Sequence, residues 1–134
     1  MALTPIIKGM ADGAEAIQAN FTAIGEIEKG TNANGTYVKF ADGTMVCYGR
    51  VTLNSLNMQS AWGSLFISAK LPTTFPATFF AAPVVSVTME NLTGDGAIWM
   101  NESSDVGSFN GRFVRGAALT FTGTMGWMAV GRWK

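Results

Sequence analysis

From about residue 36 onward, apolar and polar positions alternate in short runs broken by glycine, the pattern of strands with one buried face. In Val84 to Glu90, Val85, Val87 and Met89 fall on one side and Ser86, Thr88 and Glu90 on the other. In Ser108 to Arg115, Phe109 and Phe113 share a face, and Asn110 and Arg112 share its opposite. Trp127, Ala129, Gly131 and Trp133 share one side of Gly126 to Trp133, and Trp127 is expected in the core. Ala97 to Asn101 sets Ile98 with Met100; if those two are core, Trp99 and Asn101 face outward. Trp62 to Lys70 reads as one strand with both faces apolar, which implies that another subunit covers one of them. Asp42-Gly43, between Tyr37 to Phe40 and Thr44 to Leu53, signals a hairpin closed by a type I′ turn. Leu71 to Pro83 carries prolines and phenylalanines and reads as a crossover, and Ala118 to Thr122 is a further strand. Seven or eight short strands of this kind predict an antiparallel β-sandwich.

The pattern before residue 30 is different. Asp12 to Lys29 lacks proline, and Asp12 with Glu15 three residues later can form a capping box. Met10, Ala14, Ile17, Phe21 and Ile24 recur at alternating intervals of four and three, a narrow heptad seam. So short a helix is marginal alone, and either identical helices or its own domain must cover the seam. We expect the former, with Ala14, Ile17, Phe21 and Ile24 as the trimer seam. Gly30 to Gly35 reads as a short turn-forming hinge. The expected organisation is therefore a helical anchor over 1–30 and a β-sandwich head over 31–134.

Composition narrows the function. The chain of 134 residues is 48% hydrophobic and only 13% charged, so apolar surface is left for a subunit interface. Nine basic residues balance nine acidic ones, and the basic residues are scattered singly, which argues against nucleic acid as a partner. The sequence has no apolar run long enough to span a membrane and no signal-peptide core, so a soluble protein made in a cytoplasm is expected. The single Cys47 sits in a strand pattern and reads as a small buried hydrophobe. Histidine is absent, which removes the commonest general base and metal ligand. No metal-ligand spacing or phosphate-binding glycine loop is present, and no cofactor is expected. Glu90, Asp95, Glu102 and Asp105 lie near Trp99 in sequence, and a glycan depolymerase would need two of them across a cleft.

Three stretches carry a family resemblance: Gly35 to Gly49, Phe75 to Val87, and Trp127 to Lys134. The chain resembles phage tail-tip receptor-binding proteins and tail-fibre C-terminal domains, with a head similar to the H-type lectin fold. Lys8 to Ile17 is similar to the N-terminus of baseplate receptor-binding proteins from phages of Gram-positive hosts. The resemblance implies a homotrimer, not an enzyme, located in the virion at the tail tip. Its N-terminal helix would join the baseplate or tail proteins, and its head would bind host cell-wall polysaccharide or another surface glycan. No sugar-contacting residue is carried over from the family.

The candidate saccharide site comes instead from alternation. Trp99 would either be covered by a neighbouring subunit or offer a ring face to pyranose C–H groups, with Asn101 beside it and Asn110 and Arg112 on a neighbouring outward face. Asp95 joins them as a loop carboxylate able to accept sugar hydroxyls. The competing expectations are a structural virion protein without sugar binding and, less favoured, the depolymerase.

Overall fold

The computed structural model describes residues 26–91 and 96–134. All regular structure among them is strand: β1 (Glu26–Asn32), β2 (Gly35–Phe40), β3 (Thr44–Met58), β4 (Ser60–Trp62), β5 (Leu65–Ile67), β6 (Thr73–Thr74), β7 (Val84–Asn91), β8 (Ile98–Ser104), β9 (Ser108–Arg115) and β10 (Leu119–Arg132). One sheet runs β1-β2-β3-β10-β7. The other is built on β9, with β8 along one edge and β5 and β6 in succession along the other; β4 pairs outside β5. Every pairing is antiparallel, as the sequence pattern predicts.

Several boundaries differ from those expectations. The end of the expected helix, Glu26 to Lys29, is part of β1; the rest of it, with the seam residues Ala14, Ile17, Phe21 and Ile24, lies outside the described residues. β1 is held by its ladder to β2, by the Glu28–Lys39 ion pair at 3.2 Å, and by Tyr37, whose ring fills the space beside Gly30. Gly30 to Gly35 is accordingly no hinge. It is the end of β1 and a tight turn, in which Asn34 N–H donates to Asn32 Oδ1 at 2.9 Å.

The Asp42-Gly43 hairpin is present, but only Gly43 has a positive φ (96°), so the turn is not type I′. Gly43 N–H donates to the Phe40 carbonyl, and the Asp42 carboxylate accepts the Thr44 N–H. The expected strand Trp62 to Lys70 is a hairpin instead. Gly63 takes a left-handed conformation (φ 61°), and β4 folds back on β5 with Trp62 half exposed. The two strands expected over Ala118 to Trp133 are one, β10, because an irregularity between Phe121 and Gly123 lets the ladder to β3 continue.

The core lies between the sheets. Met45 and Cys47 from β3, Met125, Trp127 and Ala129 from β10, and Phe109 and Phe113 from β9 are all buried. Burial pushes the Cys47 thiol up to about 11. The crossover adds Phe75 and Phe79, and their N–H groups donate to the carbonyls of Gly107 and Val106 in the β8–β9 turn. Asp105 shapes that turn: its carboxylate accepts the N–H groups of Gly107 and Ser108, which hold it below its ordinary value. Phe75 packs edge-on to Phe79 at 5.0 Å and stacks with Phe109 at 5.7 Å, so the loop is part of the core rather than a cover over it.

Ser68 is a buried polar residue at the seam between β5 and β9. Its N–H donates to the Phe113 carbonyl, and its hydroxyl accepts the Phe113 N–H at 3.0 Å, extending the ladder past the end of β5. Ser68→Ala leaves that buried N–H without an acceptor and is expected to cost about 1–3 kcal/mol. Urea denaturation checks this; a loss within about 0.3 kcal/mol would show that the hydroxyl is dispensable.

Candidate functional site

The register of β8 on β9 decides the placement of the sequence-derived candidates. Trp99 lies opposite Phe113, so its ring points into the sandwich, edge-on to Phe113 at 5.0 Å and to Phe109 at 6.0 Å. Gly111 makes the room, since a Cβ there would lie 2.5 Å from the indole. Ile98, expected inside, is 76% exposed. The outward assignment of Trp99 is thus inverted: the large flat ring, not the two aliphatic chains, fills the space above the β9 phenylalanines. Asn101 follows Trp99 on the same side of β8. It accepts weakly from the indole N–H (3.4 Å) and donates to Ser104 Oγ (2.9 Å).

Asn110 and Arg112 do lie on the opposite face of β9 from Phe109 and Phe113, as alternation indicates. Arg112 Nε is 2.8 Å from Glu102 Oε1, and Lys70 Nζ is 3.4 Å from Glu102 Oε2. Desolvation alone would raise the Glu102 carboxyl, but Arg112 and Lys70 hold it below its usual value. The half-buried Asn110 has an Oδ1 with no hydrogen-bond partner among the described residues. Asp95 lies outside the described residues. Trp99 and Asn101 therefore occupy one side of this sheet, and Asn110 and Arg112 the other. The four do not converge on one ligand-sized surface. The carboxylates weighed for hydrolysis have other occupations: Glu90 pairs with Arg50, Glu102 with Arg112 and Lys70, and Asp105 with backbone N–H groups.

A different region gathers polar side chains. The β2–β3 ladder ends at Thr36 and Tyr48, so β3 from Arg50 onward has no neighbour on that edge among the described residues. A cleft of about 500 Å³ occupies the gap. Asn32 and Asn34 line it from the β1–β2 turn, Arg50 from β3, and Thr73 and Thr74 from β6, above apolar walls that include Leu53, Leu71 and Met125. Asn32 is fixed, donating from Nδ2 to the Pro76 carbonyl at 2.9 Å while Oδ1 accepts the Asn34 N–H. Its size falls within the roughly 300–1,000 Å³ of small-molecule sites.

Around the corner, the outer face of the first sheet carries a shallower depression of about 300 Å³. In register, Tyr48, Met128 and Ser86 form one row, and Arg50, Gly126 and Thr88 the next. Gly126 has no side chain to fill the middle. Arg50 Nη2 reaches Glu90 Oε2 at 2.6 Å, forming one rim. Arg50 lines both the cleft and the depression. The two together offer amides, hydroxyls, a guanidinium and a carboxylate beside apolar surface, a set suited to directional hydrogen bonding. Sequence reading missed these residues, because they converge only once β3, β7 and β10 are in register. The one local signal, Asn32 to Gly35, reads as a hinge.

No family model matches the sequence, and no curated protein does. Solved structures do match. An N-truncated R1-type pyocin tail fibre superimposes with a TM-score of 0.62 at 16% identity, over 92% of this chain and 98% of that one. The C-terminal part of the P. aeruginosa R1 pyocin fibre gives 0.62 at 18% identity over 98% of this chain, which spans about a third (35%) of that longer fibre. Recombinant discoidin II of Dictyostelium discoideum gives 0.52 at 18% identity over 66% of this chain and 37% of that one. At such identities the likeness is one of fold. The sandwich is that of pyocin tail-fibre C-terminal regions, and it extends in part to discoidin.

Trp99→Ala tests the inward placement. Loss of the ring from between Phe109 and Phe113 is expected to cost about 3–5 kcal/mol, read as a fall in thermal or denaturant stability. An unchanged melting temperature would return Trp99 to the surface.

Proposed function

We propose that this chain is the receptor-binding head of a phage or phage-like tail fibre, attaching the particle to a saccharide on the host cell surface. The observation that carries the reading is the superposition over nearly the full length of the truncated pyocin tail fibre. The polar cleft beside β3 supports it, because it offers hydrogen-bonding groups on rigid strands at the rim of the sandwich. In this reading the protein acts by binding, not catalysis, and sits at the virion tail tip. The residues before β1 join it to the baseplate or tail, and it is synthesised in the host cytoplasm.

We further propose that it works as a homotrimer, which multiplies weak contacts with a repeated receptor. Its own copies are the partner that best fits one end of the outer face of the first sheet, beyond the Tyr48 row. Val38, Val46, Val130 and Val84 stand side by side there across β2, β3, β10 and β7. Val84 is 76% exposed, and Phe80 near this end of β10 is 73% exposed. The four valines are uncharged, with Lys29 of β1 bounding the row opposite Val38, and a second copy presents the same apolar strip.

Two measurements test these proposals. Fluorescently labelled protein should stain some members of a panel of Gram-negative and Gram-positive cells, and added surface polysaccharide should compete the staining away; staining of none would leave a structural virion role. Val130→Asp should convert trimer to monomer in sedimentation while leaving the β-sheet circular dichroism unchanged. A variant that still sediments as a trimer would remove this face from the assembly.

A further inference from the structure

We infer that the saccharide read by this head is an extended chain, held in two subsites joined at Arg50, rather than one terminal sugar. The inference rests on the adhesin reading and specifies the ligand of that site.

The first subsite is the cleft at the open edge of β3, where Asn32, Asn34, Thr73 and Thr74 present amides and hydroxyls beside Leu53 and Met125. These side chains are uncharged, which suits a hydroxyl-rich, neutral sugar. The second is the depression over Gly126. The Tyr48 ring, 43% exposed, offers a flat apolar face; Ser86 and Thr88 offer hydroxyls; Glu90 can accept from sugar hydroxyls. Arg50 borders both, so no other side chain need intervene between them. Its ion pair with Glu90 leaves the junction formally neutral, so a neutral polymer can cross it.

A ligand confined to the cleft would make no use of the bare glycine at the centre of the second row. A chain of sugars would lie along Gly126 and stack on Tyr48. Binding in two linked subsites raises affinity because the second contact is made intramolecularly. Affinity should therefore climb with oligosaccharide length until both subsites are filled, then level off.

The experiment uses a bacterium that the protein stains. Its surface polysaccharide is partly hydrolysed by acid, size-fractionated, and titrated against the full chain by calorimetry. The expected result is at least about a tenfold fall in Kd between the shortest binding fragment and fragments of several sugars, followed by a plateau. Gly126→Val should erase that gain, so that short and long fragments bind the variant alike. Gly126 has no positive φ, and a Cβ there meets only the Thr88 hydroxyl, at 3.0 Å, so that side chain must give by a few tenths of an ångström to admit it. Tyr48→Ala, a surface change, is the second variant and should have the same effect. Asn34→Ala should weaken fragments of every length.

Equal affinity for short and long fragments would overturn the extended-chain inference while leaving the adhesin reading intact. So would length dependence that both Gly126→Val and Tyr48→Ala leave unchanged. Staining that no polysaccharide fraction competes would point to a protein receptor and overturn both the inference and the saccharide reading. Staining of no cell would overturn the adhesin reading and the inference with it.

Discussion

The indole of Trp127 sits where the two sheets meet, and the sequence around it is shaped by the room that ring requires. It packs against Phe109 of the opposite sheet at 5.4 Å and against Phe75 of the crossover at 5.8 Å. Gly49, its neighbour on β3, cannot carry a side chain, since a Cβ there would lie 2.9 Å from the indole nitrogen. The ring nitrogen is buried without an acceptor among the described residues. Burying 150–250 Å² of aromatic surface there contributes about 4–6 kcal/mol at ~25 cal/mol per Å². With Trp127 in place, the crossover must run close enough for Phe75 and Phe79 to complete the cluster. The β8–β9 turn then supplies the carbonyls that receive their N–H groups.

The parts of the fold legible in the sequence are those where alternation is unambiguous. Val85, Val87 and Met89 contrast with Ser86, Thr88 and Glu90, and the structure orients them as read. Phe109 and Phe113 stand out likewise against Asn110 and Arg112. The Ile98-Trp99-Met100 run has no such contrast, because all three residues are apolar. There the decision rests with the partner strand, whose Gly111 leaves a ring-sized gap on one side only. One turn was missed for a related reason. Gly63-Ser64 is short and does not break the apolar content of its neighbourhood enough to separate two strands, whereas Gly30 to Gly35 does signal a turn and only the strand before it goes unread. The cleft and the Gly126 depression were beyond reach altogether, since their walls come from strands far apart in the sequence.

The outer face of the first sheet changes character along its strands. At one end four valines stand in register. A row of Tyr48, Met128 and Ser86 follows, and then Arg50 and Thr88 flank a glycine. A one-residue slip of β10 against β3 and β7 would turn Trp127 outward and Met128 inward, destroying core and surface pattern together. The same register therefore enforces both, and the surface needs no separate device to hold it.

The order of strands in the first sheet also bears on how the chain reaches this state. β10 is the latest strand in the sequence, yet it lies between β3 and β7 and forms ladders with both. Until it is inserted, β3 and β7 each present an unpaired edge, and the residues it must meet on β3 lie some 60–90 positions earlier. Contacts that distant make folding slow, in the millisecond-to-second range for sheet proteins. During that interval the β10 of a neighbouring copy could fill the same slot. Wherever several chains are made close together, the rate at which each captures its own β10 will set the yield of correctly formed heads.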